Sequence, residues 1–240
     1  MESEVIAISL RHRLVSSHYL LEYPALYRRD GASLTHGAAS LRYCLGESYE
    51  FSFVDGGHLW PAAAGIEASY GKEQSFSCFS YYDGTAASAA EAVRDLASYL
   101  CENGPFHYVL GFSLGASLIA TLLLGENTDE SIRKAKDMVK SAVFICGIPP
   151  QNWEQLRSGH LEETNPEDLA EDMKIDTHTI HAFCLEDDQF PGRSQLLLKL
   201  CQNGASVKIL HTAGHDVPRK SDEVEALAKA MASHSETFGE

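Results

Sequence analysis

The sequence predicts an α/β protein: a single domain over residues 1–240 with a mostly parallel, doubly wound sheet, helices on both faces and a short cap-like insertion. Three observations carry that prediction. Short apolar runs that stop at Gly, Pro or charged residues alternate with helix-length segments along most of the chain, the pattern of βαβ units. Two Asp-Gly pairs suited to hairpins, Asp55-Gly56 and Asp83-Gly84, join no strands in this reading, because the first leads into no alternating run and the second opens a helix. Finally, Gly111-Phe112-Ser113-Leu114-Gly115 lies between an apolar run (Tyr108, Val109, Leu110) and a small-residue run (Ala116 to Ala120), which reads as strand, sharp turn, helix.

Val5 to Leu10 is short and apolar enough for a first strand. From Arg11 to Thr35 charges mix with Tyr19, Leu20, Leu21, Tyr23 and Leu26, broken by Pro24 and Gly31, and no period emerges. Ala38 to Leu45 reads as a short helix ended by Gly46; Tyr49 to Val54 alternates and reads as a strand. Between Gly57 and Tyr82 the chain is rich in Gly, Ala, Ser and aromatics without a clear period. Trp60, Tyr70, Phe76, Phe79, Tyr81 and Tyr82 there either line a pocket or cover one edge of the core.

Thr85 to Cys101 carries Ala89, Ala92, Val93, Leu96, Tyr99 and Leu100 on one helical face and stops at Asn103-Gly104-Pro105. After the central strand and its helix, closed by Gly125, Glu126 to Lys140 reads as a charged surface helix and Ser141 to Cys146 as a buried strand. The acidic stretch Pro149 to Ile175 is the cap-like insertion, in which Asn165-Pro166-Glu167-Asp168 offers an N-cap, Pro at the first helical position and acids in the first turn. A strand at Thr179 to Leu185, a helix from Arg193 to Cys201, a strand at Val207 to Leu210, a helix from Glu223 to Ala232 and a frayed tail from 234 complete the chain.

A net charge of −15 argues against nucleic acid or an anionic membrane surface as partner, since phosphate binding needs clustered Lys and Arg. Cys44, Cys78, Cys101, Cys146, Cys184 and Cys201 contain no C-x-x-C pair and no metal-ligand spacing with the histidines, so they are expected as small core hydrophobes in a reducing compartment. Acidic Glu2 and Glu4, then Arg11-His12-Arg13, leave no apolar run of signal-peptide length, and a cytoplasmic location is expected.

G-x-S-x-G at a strand-to-helix turn is the nucleophile elbow of α/β-hydrolases. A serine on a strained turn projects its hydroxyl clear of the sheet, while the Leu114 N–H at the first turn of the helix points to where an oxyanion would form. A serine hydroxyl attacks poorly until a neutral imidazole takes its proton, and the imidazole needs a carboxylate to fix its tautomer. In parallel sheets such groups gather after the carboxyl ends of strands. The strand from Thr179 runs into Glu186-Asp187-Asp188, three competing acids; the strand from Val207 runs into His211 and then Gly214-His215, where the glycine suits a turn aiming the ring inward and favours His215 over His211.

These motifs, with Ser40-Leu41-Arg42-Tyr43, Phe53-Val54-Asp55-Gly56, Tyr81-Tyr82-Asp83-Gly84 and Gly214-His215-Asp216-Val217-Pro218, resemble the small fungal serine hydrolases of the α/β-hydrolase superfamily, from about Ala39 to Lys220. Members include stand-alone thioesterases and esterases encoded beside polyketide synthases. The resemblance implies Ser113 as nucleophile, His215 as base and Asp187 as acid, with Glu186 and Asp188 as lesser candidates, because Cys184 stands where the family pattern has Gly. It implies no cofactor and no metal, an acyl ester or thioester substrate, and a carrier protein or polyketide synthase as partner. Arg133, Lys134, Lys136 and Lys140 are the obvious basic cluster for such docking, though a charged helix face is ordinarily just solvated. Where such hydrolases run from the first strand into Leu-His-Gly, this chain has Ile8-Ser9-Leu10-Arg11-His12, and Leu34-Thr35-His36-Gly37 much later. The second oxyanion donor has no evident source.

Overall fold

The computed structural model describes residues 3–8, 12–13, 38–54, 56–60, 77–125, 129–202, 204 and 206–235. In chain order the elements are β1 (Ser3–Ile8), β2 (His12–Arg13), α1 (Ala39–Leu45), β3 (Tyr49–Val54), β4 (His58–Trp60), β5 (Ser77–Ser80), α2 (Ala86–Asn103), β6 (Phe106–Phe112), α3 (Leu114–Leu124), α4 (Glu130–Asp137), β7 (Val139–Ile145), α5 (Trp153–Arg157), β8 (His178–Phe183), α6 (Arg193–Lys199), β9 (Ser206–Leu210) and α7 (Ser221–Ser235). Six strands form one sheet in the order β3-β1-β6-β7-β8-β9, and each neighbouring pair is parallel. The winding direction reverses between β1 and β6, where open parallel sheets place their ligand crevice.

Residues of each central strand alternate between two cores. Val109 of β6 and Ala142 and Phe144 of β7 pack with Leu96 and Leu100 of α2, Ile119 and Leu122 of α3, Ile132 of α4 and Leu197 of α6. Tyr108 and Leu110, with Val143 and Ile145, face the other way, onto Leu41 and Leu45 of α1 and Val224, Leu227 and Met231 of α7. The alternation follows from the period of two along a strand, and near-continuous apolar runs in β6 and β7 follow from burial on both faces. Each fully buried Leu or Ile contributes roughly 1.5–3 kcal/mol.

Local chemistry sets the helix ends. Thr85 caps α2 by accepting the Ser88 N–H at 3.2 Å, and Asp129 caps α4 by accepting from Ser131 and Ile132. Asn165 accepts the Glu167 N–H ahead of Pro166, and the segment Pro166–Asp168 is one 3₁₀ turn. Within 149–175, Trp153 and Leu156 of α5 join the α2 side of the core, and the Arg94 guanidinium lies 5.6 Å from the Trp153 ring centroid.

Several expectations are corrected. The first strand begins two residues earlier than its apolar run and is described from Ser3 to Ile8, Ser9 and Leu10 lying outside the described residues; β7 begins at Val139, so Lys140 belongs to a strand, and the helix before it spans Glu130–Asp137, with 126–128 outside the described residues. The helix read as Arg193 to Cys201 stops at Lys199. The region without a period contains β4 and β5, which pair antiparallel with each other and, through β5, with β2, making a second, three-stranded sheet. Strands of two to four residues are too short to display alternation. The aromatic residues of that region divide: Tyr81 is buried in the core and donates its hydroxyl to Val54 O, Tyr82 packs against the core, and Phe79 is half-buried in β5. Tyr70, Phe76 and the Trp60 side chain lie outside the described residues, as do both Leu-His-Gly candidates apart from the backbone of Ile8 and His12 and the tail beyond 235. Cys146, Cys184 and Cys201 are buried, whereas Cys44 and Cys101 are exposed on the solvent faces of α1 and α2.

Candidate active site

Ser113 stands between β6 and α3 with φ +52°, a left-handed conformation rare for a residue with a side chain. Its N–H donates to Ile145 O at 3.0 Å, extending the sheet ladder one residue past the strand. The turn depends on Gly111, where a Cβ would stand 2.5 Å from the Ala116 nitrogen. Leu114 is the first residue of α3, and the N–H groups of a first turn have no acceptor within their own helix. The positive end of this apolar, largely buried helix therefore lies at Ser113.

The acid loop leaves β8. Asp187 is buried, and its Oδ1 accepts the N–H groups of Gln189 and Phe190, both at 3.0 Å. Glu186 and Asp188 are exposed. The third loop leaves β9 and turns at Gly214, φ +67°, a position where glycine carries no steric cost. There the His215 ring lies between Asp187, with Nδ1 to Oδ2 2.5 Å, and Ser113, with Nε2 to Oγ 2.9 Å. Phe190 and Phe112 flank the ring, with centroids 4.6 Å and 5.4 Å away. Burial lowers the His215 pKa below the usual imidazole value, against the opposing effect of the Asp187 carboxylate. The ring is thus neutral near pH 7, as proton acceptance requires.

Three groups from three strand ends therefore meet: Ser113, Asp187 and His215. His211, the other histidine of the last loop, is buried one layer behind, 3.5 Å from Cys146 Sγ, and does not reach Ser113. His181 lies inside the sheet against Phe144 and Thr179, its pKa pushed down to about 3 by burial. Sequence reasoning did not single out Phe112, Phe190 or Cys146. The signal for Cys146 was its place immediately after β7, equivalent to that of Ser113 after β6.

Cys146 Sγ, an Asp187 oxygen and a His215 nitrogen lie within 4.8 Å of one another. Asp187 and His215 direct their facing atoms at each other at 2.5 Å, too close for an ion between them, and burial raises the thiol pKa far above its ordinary value. The arrangement suits proton transfer from a hydroxyl to an imidazole held by a carboxylate.

The fold and this relay define the class, an α/β-hydrolase enzyme using a serine. Residues 27–227 match the family model described as Serine hydrolase (FSH1), and the chain belongs to that family. It is 32% identical over 186 residues to Esterase FPY3 of Fusarium mangiferae, covering 77% of this chain and 81% of the relative. It is also 32% identical over 187 residues to Hydrolase phiM of a fungal species, covering 77% and 79%. Among solved structures, the Bacillus cereus carboxylesterase superposes with TM-score 0.53 at 13% identity, over 97% of this chain and 88% of that one. The mouse alpha/beta hydrolase domain-containing protein 10 gives 0.53 at 12%, over 98% and 90%. These two share the fold. No helix among the described residues is long and apolar enough to cross a membrane.

Proposed function

We propose that Ser113, His215 and Asp187 form the catalytic triad of an acyl hydrolase acting on an ester or thioester, and that the enzyme releases an acyl chain from a carrier. The observation that carries the triad is the continuous Ser113–His215–Asp187 relay at 2.9 and 2.5 Å. Ser113 Oγ attacks the carbonyl carbon as its proton passes to His215 Nε2, and the oxyanion of the tetrahedral intermediate accepts from the Leu114 N–H. Collapse breaks the bond to the alcohol or thiol, which takes the proton from Nε2. Water then loses a proton to Nε2 and attacks the acyl-enzyme, and the acid leaves as Ser113 recovers its hydrogen. Asp187 Oδ2 holds Nδ1–H throughout, and these residues with water close every step.

The names of the relatives, esterases and hydrolases of fungi, support an acyl substrate and leave ester and thioester as the two readings. For carrier docking the exposed cations on α4 are Arg133 and Lys134, the latter 2.8 Å from Glu130, while Lys136 donates to Gly125 O. Residues 149–175 complete the proposal as a cap, and the cytosol as its setting.

Labelling with a fluorophosphonate tests the triad: wild type reacts and Ser113→Ala does not. Unlabelled, folded wild-type protein would overturn it. Matched butyryl substrates, an oxyester and an N-acetylcysteamine thioester, then separate the two readings by their kcat/KM.

A further inference from the structure

Cys146 plays no part in the acyl-transfer steps, yet its thiol lies at the back of the loop that carries His215. It follows β7 with φ +45°, and its N–H donates to Ala182 O at 2.8 Å, which ties its backbone to β8. Its Sγ is 3.4 Å from Asp216 O and 3.5 Å from Gly214 O, the carbonyls on either side of His215. On its other side Sγ is 3.5 Å from His211 Nε2.

The hydrogen positions follow from the neighbours. Ala213 N–H donates to His211 Nδ1 at 3.2 Å, so that nitrogen carries no proton and Nε2 does. The ring hydrogen on Nε2 thus faces the Ala182 backbone carbonyl as well as the sulfur, and the thiol hydrogen is directed to the carbonyls of Asp216 and Gly214. Burial keeps the thiol protonated, so this donor persists at neutral pH. The start of the same loop is held separately: Glu223 Oε1 accepts both the N–H and the hydroxyl of Thr212 at 2.8 Å.

We propose that Cys146 is a positioning residue for the hydrolysis: its thiol fixes the backbone on both sides of His215 and so sets the ring between Ser113 and Asp187. This rests on the triad reading given above. Loss of the thiol frees the carbonyls of residues 214 and 216, and the Nε2 to Oγ distance is no longer held at 2.9 Å. Substrate does not touch Cys146, which is wholly buried, so the cost falls on kcat.

The test is steady-state hydrolysis of p-nitrophenyl butyrate by Cys146→Ala and Cys146→Ser, with kcat referred to active sites titrated by a fluorophosphonate so that unfolded molecules do not count. The expected result for Cys146→Ala is a kcat lower by about tenfold with KM within about twofold, since small misplacements of a reacting group cost this much or more. Cys146→Ser, whose hydroxyl donates to the same carbonyls, recovers most of that loss. An alanine variant with no titratable sites beside a serine variant that has them counts as support. Two results would overturn the proposal: wild-type kcat in Cys146→Ala, or a Cys146→Ser variant with the unfolding midpoint of wild type and no more activity than the alanine variant. Activity that survives Ser113→Ala instead removes the triad reading itself, whatever the Cys146 variants do.

Discussion

Ser113 and Cys146 leave the neighbouring strands β6 and β7 in the same manner: each turns at positive φ, +52° and +45°, and each N–H adds one rung to the ladder, on Ile145 O and Ala182 O. Backbone of this kind costs on the order of 1–3 kcal/mol per residue and persists only where the surroundings impose it. The two turns lie side by side at the carboxyl end of the sheet, one presenting a hydroxyl to the site and the other a thiol to the loop behind it.

Asp187→Asn tests the acid without disturbing its loop. An asparagine Oδ1 still accepts from Gln189 and Phe190, so the turn is kept. Its amide donates to His215 Nδ1, which places the ring hydrogen on Nε2 facing Ser113 and removes the base. A kcat lower by about 10³–10⁴ is expected in steady-state kinetics, the scale of a triad with the wrong tautomer. A loss under tenfold would mean that another group orients His215.

The pH dependence follows from burial. His215 has its pKa lowered, so the reactive neutral ring is kept to a lower pH than a free imidazole, and kcat/KM should fall on the acid side with a midpoint below 6.5. Stability moves in the same direction. His181 takes a proton near pH 6.5 when unfolded and only near 3 when folded, so between those values the unfolded state holds more protons and stability declines as pH falls. His181 alone should lower stability by roughly 2 kcal/mol between pH 7 and 5, measurable by urea unfolding.

Two glycine substitutions should separate space from conformation. At Gly111 a methyl group meets the Ala116 backbone at 2.5 and 2.7 Å, and Gly111→Ala is expected to lose the elbow, seen as insoluble or unlabelled protein. At Gly214 nothing stands within 4 Å of the added carbon, but φ is +67°. Gly214→Ala is therefore expected to fold with a loss of roughly 1 kcal/mol from the left-handed backbone, and to show its larger effect on kcat through the displaced His215.

Much of this molecule is legible in its residues because parallel strands are short, apolar and punctuated. Tyr49–Val54 is visible from its alternation, and the strand, turn and helix around Ser113 from the passage of an apolar run through Gly-bounded Ser113 into a small-residue run between Tyr108 and Ala120. Residue types alone do not separate Asp187 from Glu186 and Asp188; burial and two backbone N–H groups distinguish it, and both depend on how the loop closes. The antiparallel sheet of β2, β4 and β5 is unreadable for a related reason, since its pieces pair across long stretches of intervening chain and none is long enough to show a period. The contacts of Cys146 with Gly214 and Asp216 span 68 and 70 positions and leave no local trace.

His215 meets Ser113 across 102 positions of chain, and β9, which delivers its loop, lies at one edge of the six-stranded sheet, paired among the described residues with β8. If Ser113 is the nucleophile, as proposed, it is synthesised 102 positions ahead of its base. On the triad reading proposed above, the Ser113 hydroxyl keeps ordinary alcohol reactivity until β9 and the loop after it bring His215 to its side. Turnover of an ester is therefore a measure of complete folding, and a ribosome-bound chain stopped before residue 211 would carry the serine without the means to use it.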